Sequence, residues 1–312
     1  INLFQQKCNM SNKKEIVSAS PKVRKLAREF GANIYEIQGT QRQGRVSEDD
    51  VKSFIKESIS NKIDKKKGIT YLQYDHSEFG DIEVKPIPRI KKIAGPHLEK
   101  SWRDIPHVTQ HDEIDITEME KFRKSLRDLY TGKKLSITPL TFIIRAVVKA
   151  LKDYPNFNSS LDDQKEKLIF KKYFHIGIAV DTPHGLMVPK IRDADKKDIT
   201  ELGKELKKIT KLCKELKIDK KEFFGGSITI SSLGSIGGSF FTPIINQPEV
   251  AILGVGRSEI KQIFMGDKYE NRIMLPISLS YDHRVIDGAE GARFCTHLKA
   301  SLGKDFAYKL AV

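Results

Sequence analysis

The chain has 312 residues, of which 39% are apolar and 31% charged, and its formal net charge is +14. This length allows more than one domain, and neither a signal peptide nor an apolar run long enough to cross a bilayer is present, so we expect no membrane partner. The three cysteines are far apart and show no metal-ligand spacing, which predicts reduced thiols, no bound metal and a cytoplasmic location.

Lysine supplies most of the positive charge and is spread along the chain. A basic surface of this kind is compatible with simple solvation, with an acidic protein or anionic ligand, or with nucleic acid. Aromatic residues are not interleaved with the lysine runs, as a base-stacking surface requires. We therefore expect no nucleic-acid partner, and the first two interpretations stay open.

The N-terminal region begins with residues 1–17, which show no periodicity and are predicted to be a linker or tail. A first helix is predicted from Ser20-Pro21, an N-cap followed by proline at the first helical position. Gly31 is predicted to end it. The predicted apolar face consists of Val23, Leu26, Ala27 and Phe30.

A second helix is predicted to begin after Ser47, its N-cap, with Asp50 three residues later. Two helices and the loop between them predict a very small all-α domain over residues 18–57. Residues 58–78 are polar and predict a linker. The apolar face of the second helix consists of Val51, Phe54 and Ile55.

Four arginines stand out in this small domain. Arg24 and Arg28 are four residues apart and share one helical face, and Arg42 and Arg45 lie in the following loop. Arginine pairs with carboxylates in a bidentate geometry, so the cluster is suited to an acidic partner. An ordinary solvated face is the alternative.

Three stretches of this domain, residues 19–31, 39–46 and 48–51, resemble the peripheral subunit-binding domain of 2-oxo acid dehydrogenase acyltransferases. The resemblance implies that the domain binds dihydrolipoamide dehydrogenase, pyruvate dehydrogenase or both. Gln41 departs from the family pattern, which usually has glycine there. The positions that match the basic contacts of the family are Arg24, Arg28, Arg42 and Arg45.

The second domain is predicted over residues 79–312. Its first part predicts helical segments between Ile90 and Trp102, interrupted near Gly95-Pro96. A strand is predicted from Ile105. Thr117 and Glu120 are spaced as a capping box that opens a helix, whose predicted inward residues are Phe122, Leu126 and Leu129.

The rest of this domain alternates between helical and strand patterns. Helices are predicted over residues 140–151 and from Asp198 to Leu216, the latter with Asp198 and Glu201 as a capping box. The predicted strands cover residues 174–180, 186–191, 227–231, 251–256 and 273–281, and a glycine-rich loop extends from the third of these to Gly238.

His283 lies on a short connection between the strand that ends at Tyr281 and a final helix. Such a connection can present one side chain to a cleft, and histidine can take and return a proton near neutral pH. His283 is therefore a candidate general base, with a core or turn histidine as the alternative. Asp287 and Glu290 have the spacing of a capping box for the final helix.

The sequence contains no partner that would make His283 part of a hydrolase. No HExxH or GxSxG pattern is present, and no cysteine has a catalytic context. A base without an in-chain nucleophile can act on a thiol that arrives with the substrate. A hydroxyl donor would then stabilise the oxyanion formed at an acyl carbonyl.

Residues 282–288 resemble the signature of the catalytic domain of the same acyltransferases, whose fold is that of chloramphenicol acetyltransferase. The resemblance implies a mixed-sheet α/β domain that forms trimers, with the site between subunits, and a hollow cubic core of trimers. It implies His283 as the base, Ser231 as the oxyanion donor and Asp287 as a residue that orders the active-site loop. Ser232 and Thr229 are the alternatives to Ser231.

Further stretches most resemble the acetyltransferases of pyruvate dehydrogenase complexes of proteobacterial type. The implied reaction moves an acetyl group from a dihydrolipoyl thioester to coenzyme A; a succinyl or branched-chain acyl group, or a non-catalytic anchoring role, is the alternative. Residues 1–60 lack the acidic turn that carries the lipoyl group, which we therefore expect on a separate domain. The stretches are residues 105–109, 157–161, 172–182, 241–246 and 287–294.

Overall fold

A computed structural model describes residues 17–64 and 75–304, except 128–131, 134 and 136, together with residue 306. The chain divides into two compact units, Ile1–Val84 and Lys85–Val312. Residues 1–16 of the predicted tail and the predicted inward residue Leu129 lie outside the described residues.

The first unit contains two helices, α1 (Pro21–Glu29) and α2 (Glu48–Asp64), with 3-10 turns at Ile34–Glu36 and Arg42–Gly44 between them. Helix α2 continues through the first seven residues of the segment predicted as a linker. The buried core consists of Val23, Ala27, Ile37, Val46 and Val51. Phe30, predicted to face inward, is 61% exposed because the helix ends at Glu29 and Phe30 is already the cap residue.

Asp50 connects the loop of this unit to α2. Its carboxylate accepts hydrogen bonds from the backbone N–H of Ser47 and from both the hydroxyl and the backbone N–H of Thr40. The Ser47 hydroxyl in turn accepts from the Asp50 N–H at 3.2 Å, so Ser47 caps the helix as predicted and the two residues form a capping box. These bonds, led by the one from the Ser47 N–H, hold the pKa of Asp50 well below its usual range.

The second unit is a mixed α/β domain with nine strands and five helices among the residues described. The helices are α3 (Arg89–Asp104), α4 (Thr117–Ser125), α5 (Pro139–Asp153), α6 (Ile199–Lys214) and α7 (Gly288–Leu302). The strands are β1 (His107–Asp115), β2 (Ser159–Leu161), β3 (Leu168–Phe170), β4 (Ile176–Ile178), β5 (Lys190–Ile191), β6 (Ile228–Ser232), β7 (Ala251–Val255), β8 (Glu259–Met265) and β9 (Lys268–Asp282).

Seven of these strands form one sheet in the order β1-β9-β7-β6-β4-β5, with β8 paired to β9. Strands β4, β6 and β7 are parallel, and β1, β5 and β9 run antiparallel to their neighbours. Strands β2 and β3 form a separate two-stranded ribbon. The sheet is therefore mixed, as predicted.

The two faces of the sheet differ, as the alternation in the sequence of β9 predicts. Leu279 on β9, Leu253 on β7 and Ile230 on β6 form one row of the hydrophobic core, which also contains side chains of α5, α6 and α7. The next row along, Ser278, Gly254 and Ser231, points to the opposite face because neighbouring residues of a strand alternate. That second face carries polar and small side chains together with Ile252, which forms a small buried cluster with Ile105 and Ile245.

Two local predictions are wrong. Helix α3 runs through Pro96 without interruption, because Ile90 packs on the core and Ser101 is fully buried, which holds the helix on both sides of the proline. The predicted capping box of α4 is absent: the Thr117 N–H and hydroxyl both donate to Asp115. Asp115 can accept both hydrogen bonds because it ends β1 only two residues before Thr117.

Three further elements are shorter than predicted. Strand β4 covers only Ile176–Ile178 of the predicted residues 174–180. Strand β5 covers only Lys190–Ile191, with a single isolated bridge at Met187 before it. Helix α6 has the predicted capping box of Asp198 and Glu201 but ends at Lys214. Leu216 lies beyond it with a φ of 55°, a left-handed conformation that cannot continue a helix, and its side chain is exposed.

Candidate active site

His283 follows β9 on an exposed turn whose backbone is fixed on both sides. Its N–H donates to the carbonyl of Pro106 at 3.1 Å, and the Asp282 N–H donates to the carbonyl of Val250 at 2.8 Å. The imidazole lies 6.0 Å from the ring of Tyr281, and it has no hydrogen-bond or ion-pair partner among the residues that the structure describes. Both ring nitrogens are therefore free for a visiting group.

Asp282 organises this turn. Its carboxylate is almost fully buried and accepts from the Arg284 backbone N–H at 3.0 Å and from the Arg284 guanidinium at 2.6 to 3.2 Å. Its carbonyl accepts from the N–H groups of Val285 and Ile286. The hydrogen bonds from Arg284 to Asp282 raise the pKa of the guanidinium, which stays charged.

Asp287 ends the turn and caps α7 by accepting from the Glu290 N–H at 2.7 Å. The reciprocal half of the predicted capping box is absent, because the Glu290 carboxylate accepts instead from the side-chain amide of Asn156 at 3.0 Å. Asp287 therefore fixes the start of the helix through one hydrogen bond from an exposed position.

A cavity of about 150 Å³ lies beside the turn and is lined in part by the two residues that flank His283. Charged groups of both signs face it, and two of its three basic residues are paired with acidic neighbours that also line it: Lys100 with Asp104, and Arg284 with Asp282. Three further acidic side chains also line it, those of Asp162, Asp163 and Glu249, so the cavity is polar and its lining has more acidic than basic groups.

Ser231 lies near the carboxyl end of β6 on the polar face of the sheet, and its side chain is half-buried. Its neighbour on β7 is Gly254, where any Cβ would stand 2.8 Å from the ring of Phe241. Glycine at this position lets the segment after the glycine-rich loop pack directly on the sheet beside Ser231.

The two alternatives to Ser231 have different surroundings. Ser232 is one residue further along β6, so it points toward the face that the helices cover. Thr229 is buried, and its hydroxyl donates to the Glu249 carboxylate at 2.6 Å. The side chain of Ser231 lies on the same polar face of the sheet as that of Thr229. Unlike the Thr229 hydroxyl, the Ser231 hydroxyl has no hydrogen-bond partner among the described residues.

His283 and Ser231 lie at opposite ends of the sheet within one chain. Ser231 is in register with Gly254, which is in register with Ser278 on β9. His283 follows Ser278 by five residues, which is roughly 16 Å along an extended strand, and two strand spacings add about 10 Å sideways. The two backbone positions are therefore roughly 19 Å apart, and one chain does not bring the side chains together.

No pattern in the sequence predicted the buried polar network that connects β5 and β6. Lys190 and Glu249 form an ion pair in which both side chains are about 1% exposed, and Thr229 donates to the same carboxylate. Burial lowers the pKa of Lys171, which donates to the Gly226 carbonyl, to about 8. These residues come from separate segments, so no local spacing could have revealed them.

Neither a metal site nor a membrane span is found in the part of the chain that is described. No group of three or more histidine, cysteine, aspartate or glutamate side chains there could hold a metal ion. None of the helices in those residues is long and apolar enough to cross a bilayer.

The four arginines of the first unit are not neutralised. Arg24 donates to the carbonyl of Val17 and Arg28 to that of Arg24, and none of the four has a carboxylate partner among the described residues. Gln41, the departure from the family pattern, has a φ of −79°, which any residue adopts. It therefore introduces no backbone strain beside Arg42 and Arg45.

Two family models match the chain. The model described as the catalytic domain of 2-oxoacid dehydrogenases acyltransferase matches residues 79–307, and the model described as e3 binding domain matches residues 17–52. The two matches occupy separate parts of the chain.

Curated relatives carry the description dihydrolipoyllysine-residue acetyltransferase component of pyruvate dehydrogenase complex. The Haemophilus influenzae protein is 45% identical over 91% of this chain and 53% of its own length. The protein of Buchnera aphidicola from Acyrthosiphon pisum is 41% identical over 96% of this chain and 76% of its own length. The chain thus spans about half the length of the Haemophilus relative.

Solved structures agree with the family assignment. A structure of the Azotobacter vinelandii dihydrolipoamide acetyltransferase matches with a TM-score of 0.74 and 43% identity, over 77% of this chain and 98% of its own. That work concerns the role of one serine, one histidine and one asparagine in its catalytic mechanism. The predicted fold class, a mixed-sheet α/β domain preceded by a small all-α domain, is confirmed. The chain belongs to the family of 2-oxoacid dehydrogenase acyltransferases.

Proposed function

We propose that the chain is the catalytic and subunit-binding part of a dihydrolipoyllysine-residue acetyltransferase of a pyruvate dehydrogenase complex. The observation that carries this proposal is His283, an exposed imidazole with two free nitrogens on a turn fixed by hydrogen bonds on both sides. Such a group can accept a proton from a thiol that enters with the substrate.

The spacing of the site residues supports the assignment of roles. In the Azotobacter enzyme the serine precedes the histidine by 52 positions, and the asparagine follows it by four. In this chain Ser231 precedes His283 by 52 positions and Asp287 follows it by four. This agreement favours Ser231 over Ser232 and Thr229.

In the proposed mechanism, His283 takes the proton of the coenzyme A thiol, and the sulfur attacks the acetyl carbonyl of the dihydrolipoyl thioester. The Ser231 hydroxyl donates a hydrogen bond to the oxyanion that develops on that carbonyl. His283 returns its proton to the departing dihydrolipoyl sulfur as the old carbon–sulfur bond breaks. Asp287 keeps the start of α7, and with it the end of the turn, in place.

We propose that each site lies between two subunits of a trimer. The roughly 19 Å between the backbones of His283 and Ser231 in one chain is too far for both to act on one carbonyl. A neighbouring copy that supplies Ser231 would complete the site. Assembly of trimers into a cubic core is part of this proposal, because one matching structure is described as the cubic core of the pyruvate dehydrogenase multienzyme complex.

The first unit is proposed to bind dihydrolipoamide dehydrogenase, pyruvate dehydrogenase or both. The support is the match to the e3 binding domain and the four arginines that lack a carboxylate partner within the described residues. The acetyl group is proposed to arrive on a lipoyl domain outside this sequence. We place the reaction in the cytoplasm, which the free buried thiols of Cys213 and Cys295 support.

A direct assay tests the proposal: acetyl transfer from S-acetyldihydrolipoamide to coenzyme A. We expect the unmodified chain to be active and His283→Ala to lose activity by at least about 100-fold. The matched control is His184→Ala, another exposed histidine on a turn of the same unit, which should keep full activity.

Three outcomes would contradict the proposal. Full activity of His283→Ala would show that His283 is not the general base. A preference for succinyl or branched-chain donors in the same assay would assign the chain to a different complex. An inactive chain that still assembles would indicate an anchoring protein without catalysis.

A further inference from the structure

We propose that the ion pair of Asp282 and Arg284 positions His283 for proton transfer, without either residue touching the substrate. This inference rests on the proposed function, because it assigns a role relative to the proposed base. It concerns two residues of the 282–288 signature to which neither the resemblance nor the spacing match to the Azotobacter enzyme assigns a role.

The argument begins with where the pair sits. Asp282 precedes His283 and Arg284 follows it, so a contact between their side chains closes a ring of atoms around the histidine backbone. Both carboxylate oxygens accept from the guanidinium, with Nη2 to Oδ2 at 2.6 Å and Nε to Oδ1 at 2.9 Å. The Arg284 backbone N–H also donates to Oδ1 at 3.0 Å. Nε also donates to Oδ2 at 3.2 Å. Four hydrogen bonds between the two neighbours leave the intervening residue little freedom.

The burial of the pair explains why the charge matters. The Asp282 side chain is 2% exposed and that of Arg284 30%. All the hydrogen bonds that the Asp282 carboxylate accepts from described residues come from Arg284. Without the guanidinium, the carboxylate would be buried and unpaired, a costly state that the turn can relieve only by moving.

The remaining constraints on the turn are weaker. Asp287 contributes a single hydrogen bond from an exposed position, four residues beyond the histidine. The backbone bond of His283 to Pro106 fixes the main chain but not the direction of the ring. The pair therefore provides the most extensive side-chain restraint at the base.

The geometry also separates positioning from substrate binding. The Arg284 Nε and Nη2 both donate to Asp282. The pair of N–H groups that would bind an anionic ligand in a bidentate geometry is therefore already engaged. Loss of the guanidinium should then misplace the base while leaving substrate affinity intact. Small displacements of a catalytic group can cost a factor of about 100 in rate.

The test compares Arg284→Met and Arg284→Lys with the unmodified chain in the acetyl-transfer assay. We expect Arg284→Met to lower kcat about 10- to 100-fold, with KM for coenzyme A and for S-acetyldihydrolipoamide unchanged within about twofold. Arg284→Lys keeps the charge but not the bidentate geometry and should recover part of the loss. The melting temperature and the mass of the assembled particle are measured in parallel.

The matched control is Arg272→Met. Arg272 donates to Asp115 at 2.7 Å and stands on the same strand β9, ten residues before Asp282. Its loss should leave kcat unchanged. If Arg284→Met does not assemble, the kcat of Arg284→Lys relative to the unmodified chain tests the inference by itself.

A kcat that stays at the unmodified level in the assembled Arg284 variants would overturn the inference. So would a rise in KM without a fall in kcat, which would make Arg284 a binding residue. These results are distinct from a failure of the proposed function, which would appear as absence of transfer by the unmodified chain or as full activity of His283→Ala.

Discussion

Two inactive variants should restore each other if the site is formed between subunits. The strand register places His283 and Ser231 at opposite ends of the sheet, roughly 19 Å apart in one chain. His283→Ala removes the base, and Ser231→Ala removes the oxyanion donor, a loss of about 100- to 1,000-fold in kcat. A mixed trimer of the two variants would contain some sites in which both residues are intact.

The size of the recovery follows from the symmetry. In a cyclic trimer, each site takes the histidine from one subunit and the serine from the next. In any trimer that contains both variants, only one site combines the intact histidine of a Ser231→Ala chain with the intact serine of a His283→Ala chain, so about one third of the sites are complete. We therefore expect about one third of the activity of the unmodified trimer.

The assay requires trimers that contain both variants. The two chains are co-expressed with different affinity tags, purified through both tags and tested for acetyl transfer from S-acetyldihydrolipoamide to coenzyme A. Two differently tagged Ser231→Ala chains, treated identically, give the background.

Activity of the mixed trimers at the background level would refute the reasoning. It would mean that both residues act from the same chain, against the distance derived from the register, or that one of them lies outside the site. Recovery to about one third would require that each site use two copies.

Three further predictions concern other parts of the molecule. Glu249→Gln should lower the free energy of unfolding in urea by about 3–5 kcal/mol, because it leaves the charge of Lys190 buried without its partner; no change would show that the pair is dispensable. Since the pKa of Asp50 is lower in the folded than in the unfolded chain, its contribution to stability should be complete above the ordinary carboxyl range. That contribution should be lost progressively as pH falls below this range and through the lower pKa of the folded chain. Asp50→Asn should remove that part of the pH dependence, as followed by circular dichroism. Arg42→Glu with Arg45→Glu should abolish binding to dihydrolipoamide dehydrogenase in calorimetry while acetyl transfer stays normal, and unchanged affinity would exclude these arginines from the interface.

Local signals in the sequence predicted most of the helices and strands. Ser20, Ser47 and Asp198 cap helices as predicted, because capping depends on residues within one turn of each other. The alternation in β9 predicted its two faces for the same reason. Where such signals failed, as at Pro96 and at Thr117, contacts from elsewhere or from the preceding strand decided the outcome.

The sequence by itself determined which side chains can do chemistry: a histidine after a strand, a serine before a glycine-rich loop, and arginines on a small helical unit. The tertiary structure decided how they relate in space. The pairing of β6, β7 and β9 sets the distance between His283 and Ser231. The burial of Asp282 makes its carboxylate depend on the hydrogen bonds from Arg284. Register and burial arise from segments far apart in the chain, so no local pattern contains them.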